Sequence, residues 1–405
     1  MKQVKLGIIG MGCRGNGLMQ DAILHMDDVD VLCLCDVYED RARAGADVVR
    51  EAKGHTPAFV TDYHALLAME EINTVIVASA WESHVPIAIA AMRAGKDVAM
   101  EVGGAYSLED CWALVRTQEE TGVACMMLEN CCYGDTELMV LNMVRQGLFG
   151  DVVHCAGGYH HDLREEIAFG IENRHYRHRN YLNRNCENYP THELGPIAKI
   201  LNINNGNRMV TLSSFASKAA GMTPYLEAKK PEDAGLSFMQ GDVVTTVIKC
   251  ARGETIVLTL DTTLPRAYSR GFRVRGTKAA YEDETKSVFL DGIHNEYDFK
   301  WREQWGNADA YAKEYEHPIW TNYNKEGVKK GHGGIDWLVL RAFFESVQNG
   351  TETPIDVYDT AAWMSISALS EASITCGSVP VAIPDFTGGR WTTVKPPIAS
   401  KYNLR

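Results

Sequence analysis

The stretch Lys5-Leu-Gly-Ile-Ile-Gly10-Met-Gly12-Cys-Arg-Gly15 decides the fold class. An apolar run of strand length leads into a G-x-G-x-x-G spacing, and a helical pattern follows over Gly15–Met26. In a strand–turn–helix unit each glycine has a mechanical role. Gly10 allows a tight turn, Gly12 close approach of backbone to a pyrophosphate, and Gly15 close packing of helix on strand. The free N–H groups at the start of the helix then face the anion. Asp36 closes the next apolar run, Val31–Asp36, 21 residues after Gly15. A carboxylate there binds ribose hydroxyls and repels a 2′-phosphate, so the spacing implies NAD rather than NADP. The alternative is a sheet of the same build that holds no cofactor.

Outward from this stretch, short apolar runs alternate with amphipathic ones as far as about Leu128. Strands are expected at Lys5–Gly10, Val31–Asp36, Thr74–Ala78, Asp97–Met100 and Val123–Leu128. Between them lie helical patterns at Gly15–Met26, Glu39–Lys53, His84–Ala94 and Ser107–Thr121, the last opened by a Ser107-Leu-Glu-Asp110 capping signature. That alternation predicts a doubly wound parallel sheet of Rossmann type over residues 1–130. After a helix near Asp135–Gln146 the pattern changes. Val152–Tyr159, Met209–Ser217, Asp242–Cys250, Thr255–Asp261 and Phe272–Gly276 are extended, with a helix near His192–Ile203 and further helices near Gly334–Gln348 and Asp359–Thr375. The fold class is therefore α/β, with an α+β domain over 131–405 built on a mostly antiparallel sheet.

Composition narrows the function classes. A chain of 405 residues, 45% hydrophobic and 23% charged, exceeds the size at which single cores split. Its net charge of −13 comes without a run of Lys and Arg, so no nucleic-acid or anionic-membrane footprint is present, and a small neutral substrate fits better. The eleven cysteines include the neighbours Cys33 with Cys35 and Cys131 with Cys132, which suit interior thiols rather than framework disulfides. No apolar run reaches the roughly 20 residues a bilayer span needs. A first strand at about Val4 leads to the expectation of a cytoplasmic protein, or of a secreted or periplasmic one whose signal has been removed. A homo-oligomer is expected.

At Trp81-Glu-Ser-His84, Glu101-Val-Gly-Gly104 and Asn130 the first domain resembles the glucose–fructose oxidoreductase and inositol dehydrogenase superfamily. Dehydrogenases of that superfamily carry Glu-Lys-Pro after the fifth strand, the Lys activating the hydroxyl to be oxidised; this chain has Glu101-Val102-Gly103. The rest resembles glycoside hydrolase family 109, whose characterised activity is α-N-acetylgalactosaminidase. The motifs that carry the likeness are Gly157-Gly-Tyr-His-His-Asp162, Asn188-Tyr-Pro-Thr-His-Glu-Leu-Gly-Pro196, Ser213-Ser-Phe-Ala-Ser-Lys218, Gln240-Gly-Asp-Val-Val-Thr245, Gly331-His-Gly-Gly-Ile-Asp336 and Ile383-Pro-Asp-Phe386. With the glycine loop, the resemblance implies an NAD site of Gly10, Gly12, Cys13, Arg14, Gly15, Asp36, Trp81, His84, Glu101, Val102 and Asn130. It implies a sugar site of Tyr159, Arg177, Tyr189, His192 and Tyr268.

Most glycosidases flank the scissile bond with two carboxylates. No such pair declares itself here. A bound NAD offers another route, in which carbon 3 of the sugar is oxidised transiently, the carbon 2 proton becomes acidic, and its loss expels the glycosidic oxygen. The catalytic expectation is His192 for the carbon 3 hydroxyl proton and Tyr159 for the carbon 2 proton, with Tyr189 and Arg177 orienting the sugar or stabilising oxygen charge. Each has a plainer alternative: His192 as a helix-start histidine, Tyr159 as an edge aromatic. No metal is expected, since neighbours such as His160, His161 and Asp162 on a strand point to opposite faces. His332 fits either a pocket or a turn, and Trp301, Trp305, Tyr311, Tyr315 and Trp320 fit loop anchors better than a sugar platform. The rival functions are a plain NAD-dependent sugar dehydrogenase and a redox-sensing NAD-binding regulator.

Overall fold

The computed structural model describes residues 2–295, 297–298, 300–326 and 331–405. The chain divides into two compact units. The first comprises Met1–Tyr133, Ile319–Ala361 and Lys395–Arg405; the second comprises Gly134–Pro318 and Ala362–Val394. Unlike the contiguous division at 130/131 expected from pattern, the first unit recruits two late segments.

The first unit holds a six-stranded parallel sheet in the order β3-β2-β1-β4-β5-β6. Its elements are β1 (Val4–Ile9), α1 (Cys13–Asp21), β2 (Val29–Cys35), α2 (Glu39–Lys53), β3 (Ala58–Val60), α3 (Tyr63–Leu67), β4 (Thr74–Val77), α4 (Trp81–Arg93), β5 (Asp97–Met100), α5 (Leu108–Thr121) and β6 (Cys125–Met127). The central strands read as continuous apolar runs because helices cover both faces of such a sheet; all four residues of β4 are buried. The Ser107 side chain caps α5 by accepting from the Asp110 N–H at 3.0 Å, as the capping signature predicts. Chain order reverses around β1, which pairs with β2 on one side and β4 on the other. The crevice for a ligand in an open α/β sheet lies at the carboxyl ends of strands at such a switch point.

The differences from the predicted elements are local. Strand β3 escapes the pattern because its three residues are exposed or half-buried and show no buried face. Helix α4 begins at Trp81 rather than His84, which places both residues on its first turn instead of a loop. Helix α1 stops at Asp21, and a separate 3-10 turn covers Ile23–His25.

The second unit is an eight-stranded sheet in the order β13-β12-β11-β7-β10-β9-β8-β14. Its elements run α6 (Asp135–Arg145), β7 (Val152–His160), α7 (Arg164–Ala168), α8 (Arg177–Asn183), α9 (Thr191–Ile200), β8 (Met209–Ala216), α10 (Met222–Lys229), β9 (Val243–Cys250), β10 (Thr255–Asp261), β11 (Arg273–Gly276), β12 (Ala279–Glu282), β13 (Ser287–Leu290) and α11 (Ala308–Glu314). In chain order α12 (Pro318–Glu326) and α13 (Ile335–Asn349) come next, almost wholly within the stretch Ile319–Ala361 that belongs to the first unit, and then α14 (Val357–Thr375) and β14 (Val381–Ala382). Strict alternation fixes which face is buried: Ile256, Leu258 and Leu260 of β10 point inward beside Val244, Thr246 and Ile248 of β9. The pairings are antiparallel except for β7 with β10, which run parallel. Within the first unit α13 packs on β1 and on the turn Asn130–Tyr133, burying Leu338, Leu340, Phe343 and Phe344. None of the eleven cysteines is in a disulfide, and nine are buried. Among the described residues no helix is long and apolar enough to cross a membrane.

Strand β7 lies so close to β10 that a Cβ on Gly158 would sit 1.9 Å from the Thr259 carbonyl oxygen. Gly158→Ala is therefore expected to cost about 3 kcal/mol or more, an overpacking that a rigid sheet cannot relieve, and a urea titration showing an unchanged midpoint would contradict it.

Candidate functional site

In the first unit the glycine loop has the geometry its spacing implies. Gly10 leaves β1 at φ +97°, and a Cβ there would strike the Ala78 carbonyl at 2.5 Å. A Cβ on Gly15 would lie 1.9 Å from the Gly10 carbonyl oxygen, so the helix can approach the strand only without one. Gly12 is different. Its φ is an ordinary −68°, and the nearest atom to an added Cβ is a guanidinium nitrogen of Arg41 at 3.6 Å, normal contact. Among the described residues no neighbouring atom excludes a side chain at position 12, and the backbone there is open to close approach. The first turn of α1, opening at the exposed Cys13, carries no acidic residue and no side-chain cap, so its N–H groups are open to an anion. Beside the loop, the buried Asp36 carboxylate accepts from the N–H groups of Met11 at 2.7 Å and Tyr38 at 2.9 Å. Two carboxylate oxygens offer about four acceptor positions, so capacity for ribose hydroxyls remains.

The other residues expected here surround the same loop. Arg14 Nε donates to Glu101 at 2.9 Å, and its two terminal nitrogens fork onto both oxygens of Asp336 at 2.8 and 2.9 Å. Asn130 donates to Asp336 at 2.7 Å, and His332 Nδ1 lies 2.6 Å from it. These partners hold the buried Asp336 carboxyl far below the usual carboxylate range, against its desolvation. Glu101 is pushed up instead, by burial and by Asp336, with Arg14 opposing. Arg14 thereby braces the loop through two carboxylates. Trp81 lies over Gly103, whose added Cβ would be 2.5 Å from the indole ring, and Val102 is buried beside it. His84 is buried with Nε2 2.9 Å from the Ser79 carbonyl oxygen, and desolvation lowers its pKa to about 4, which keeps it neutral. Asp336 stands in a motif whose spacing assigns it no role; its partner Arg14 is 322 positions away, a separation no local pattern reveals.

In the second unit the five expected sugar-site residues come together although they span more than a hundred positions. Tyr159, near the end of β7, is the centre: its ring centroid lies 4.3 Å from Tyr189, 5.5 Å from His192 and 6.3 Å from Tyr268. Arg177 opens α8, and its guanidinium lies 5.4 Å from the Tyr189 ring centroid while pairing with Glu166. His192 is the second residue of α9. The helix is seated tightly, because a Cβ on Gly157 of β7 would lie 2.6 Å from the Glu193 side chain. Arg270 reinforces that seat with its Nε 3.2 Å from Glu193 and a terminal nitrogen 2.6 Å from Glu137. Tyr268 is more than half exposed in the connection after β10. His161, considered in the sequence only as a metal ligand, has its Nδ1 2.8 Å from the Tyr159 hydroxyl. Its signal was the two-residue spacing from Tyr159, which puts both on one face of an extended chain.

Two carboxylates near this cluster are paired with arginines, while burial pushes the Glu187 carboxyl, close to Tyr189, up to about 8. Asp162 is held low chiefly by hydrogen bonds from Arg164 at 2.9 and 2.6 Å, and Arg177 and His175 hold Glu166 low against its burial. Carboxylates so stabilised in the charged form make poor general acids. The groups facing Tyr159 are phenols and imidazoles.

The contrast among the glycines gives a test. Gly12→Ala is expected to leave the melting temperature within a few degrees of wild type, since a cap position tolerates Ala at about 1 kcal/mol, while NAD binding by calorimetry weakens at least about tenfold. Unchanged affinity would remove the pyrophosphate from that position.

Comparison with known proteins agrees with both halves. Residues 4–129 match the family described as "Oxidoreductase family, NAD-binding Rossmann fold", and residues 133–393 match "Glycosyl hydrolase 109, C-terminal domain". A Stenotrophomonas maltophilia protein named "Glycosyl hydrolase family 109 protein" is 40% identical, over 98% of this chain and 91% of its own length. A Tannerella forsythia "Alpha-N-acetylgalactosaminidase" is 35% identical, over 98% of this chain and 89% of its own. Among solved structures, a levoglucosan dehydrogenase in complex with NADH and L-sorbose has a TM-score of 0.65 at 15% identity, covering 95% of this chain and 100% of that one. The scyllo-inositol dehydrogenase of Lactobacillus casei with NAD(H) and scyllo-inositol has 0.62 at 14%, covering 94% and 99%. At such identities these two show the shared fold alone. A dinucleotide loop in the first unit and a phenol–imidazole cluster in the second thus accompany matches over nearly the whole length, and the chain belongs to glycosyl hydrolase family 109.

Proposed function

We propose that this chain is an NAD-dependent retaining glycosidase that releases terminal α-linked N-acetylgalactosamine through transient oxidation at carbon 3, elimination and addition of water. The observation that carries the reading is the gathering of Tyr159, Tyr189, His192, Tyr268 and Arg177, with the neighbouring Asp162 and Glu166 each paired with an arginine. The name of the Tannerella forsythia relative supports the substrate class.

The residues at the loop fit the cofactor: Gly12 leaves room for a pyrophosphate, α1 offers N–H groups, and Asp36 retains acceptor capacity for ribose hydroxyls. NAD bound there supplies reversible oxidation and reduction at carbon 3. The protein's own groups do the rest. His192 takes the proton of the carbon 3 hydroxyl as the carbonyl forms. The carbonyl acidifies the carbon 2 hydrogen, and the oxygen of Tyr159 removes it. Arg177 holds the negative charge that develops on oxygen, and Tyr189 packs against the sugar. The leaving group departs from carbon 1, water adds there from the same face, and the proton returns to carbon 2.

A plain sugar dehydrogenase is the second reading, favoured by the oxidoreductase-family match over residues 4–129. A dehydrogenase accumulates NADH in step with product, whereas the glycosidase releases sugar with no net change in cofactor.

Three outcomes are expected. Purified protein carries NAD, detected by denaturing it and assaying the supernatant; no nicotinamide and no NAD-induced thermal shift would sink the cofactor assignment. His192→Ala and Tyr159→Phe each lower turnover by about two orders of magnitude with melting temperature and NAD content unchanged, and full activity in either removes that residue from the mechanism. Hydrolysis of an aryl α-N-acetylgalactosaminide in heavy water places deuterium at carbon 2 of the product, visible by proton NMR. A two-carboxylate enzyme leaves that hydrogen in place.

A further inference from the structure

A tyrosine used as a base has an energetic problem. A phenol of ordinary pKa, about 10, is protonated at neutral pH and has little basicity until it loses that proton. Tyr159 is mostly buried, among Tyr189, His192 and Tyr268. Its hydroxyl lies at hydrogen-bond distance from His161 Nδ1, 2.8 Å away. We infer that His161 is the proton relay of Tyr159: as the tyrosine oxygen takes the carbon 2 proton, its own phenolic proton passes to His161 Nδ1. The inference rests on the reading above that Tyr159 removes that proton.

The geometry is built for transfer. Tyr159 and His161 stand two residues apart on one face at the end of β7, where the His161 N–H donates to the Asp261 carbonyl at 3.0 Å and so continues the pairing with β10. The imidazole ring is set edge-on to Tyr268, centroids 5.2 Å apart at 85°, and to Tyr159, 5.5 Å apart at 79°. An acceptor must be neutral before the step. Burial lowers the His161 pKa, and the Arg177 guanidinium and His192 lower it further, against the opposing charges of Glu166 and Asp162. Neutral at pH 7, the ring presents a lone pair at Nδ1 when its proton is on Nε2. In the step, the C–H bond at carbon 2 and the phenolic O–H bond break, and a new O–H bond on Tyr159 and an N–H bond on His161 form. The electron pair from carbon enters the enolate, whose charge sits on the carbon 3 oxygen. The imidazolium carries the positive charge and returns its proton when carbon 2 is reprotonated. The pair thus behaves as a base of imidazole strength presented through a phenol oxygen.

His161→Asn tests this, because an amide oxygen can accept the Tyr159 hydrogen bond but cannot take its proton. The expected result on an aryl α-N-acetylgalactosaminide is a kcat lower by about 10- to 100-fold with KM within about threefold, and unchanged melting temperature and NAD content. A deuterium isotope effect from substrate labelled at carbon 2 should be larger than in wild type, since proton removal becomes the slow step. A merely structural loss would slow all steps and leave that effect unraised. Tyr159→Phe combined with His161→Asn should be no slower than Tyr159→Phe alone, because the relay acts only through the tyrosine. Wild-type kcat in His161→Asn, an unraised isotope effect, or multiplied losses in the double variant would overturn the relay. If the asparagine variant does not fold, His161→Gln serves under the same criteria. Wild-type enzyme that neither exchanges nor shows an isotope effect at carbon 2 overturns the functional reading and the relay with it; wild type that does both beside a fully active His161→Asn overturns the relay alone.

Discussion

The second unit depends on the parallel pairing of β7 with β10, at a separation that admits no side chain at Gly158. The pairing fixes where Tyr159 stands, because its partner Leu260 is pinned in turn to Val244 of β9 through the alternating buried face. On the other side of β7, the Gly158 N–H donates to the Arg270 carbonyl oxygen at 2.9 Å, and His160 and Ser269 exchange backbone hydrogen bonds at 3.1 and 3.0 Å. Those bonds hold the segment that carries Tyr268. Gly157 lets α9 come close enough that His192 reaches the Tyr159 ring. Two consecutive glycines therefore set the approach of the sheet and of the helix to one tyrosine.

The first unit solves a different problem, that of keeping a loop rigid while leaving its inner face open. Gly10 and Gly15 lock it by close backbone contact, and Asp36 ties Met11 from one side. From the other side Arg14 is held by Glu101 and Asp336, two buried carboxylates sharing one guanidinium. Removing charges of this kind from water is costly, and the cost is offset only where hydrogen bonds satisfy each group. Asp336 meets that condition through Arg14, Asn130 and His332. The bracing carboxylate arrives on α13, so the loop at the start of the chain is completed by a helix near its end.

Charge in the second unit is arranged around a largely aromatic centre. Arginines pair with two of the nearby carboxylates, Arg164 with Asp162 and Arg177 with Glu166. What faces the centre is mainly aromatic, and in such an environment short hydrogen bonds between phenol and imidazole gain strength from the lower local dielectric.

The sequence by itself determined the parts written in local periodicity and spacing. Apolar runs alternating with amphipathic ones required a parallel sheet, G-x-G-x-x-G with Asp36 required a dinucleotide turn at its switch point, and alternating runs after 150 required a second sheet. The motifs at 157–162 and 188–196 carried Tyr159, Tyr189 and His192, and the family resemblance added Arg177 and Tyr268. Tertiary structure decided what depends on pairing between distant positions. The edge strand β3 has no buried face to leave a pattern, the late segments join the first unit through contacts no spacing encodes, and the brace on Arg14 comes from Asp336 by a hydrogen bond across 322 positions. The partner of the Tyr159 hydroxyl was near in sequence yet undecided, since a two-residue spacing sets a shared face but not a ring rotamer, and only packing against Tyr268 and Tyr159 turns the His161 nitrogen toward the phenol.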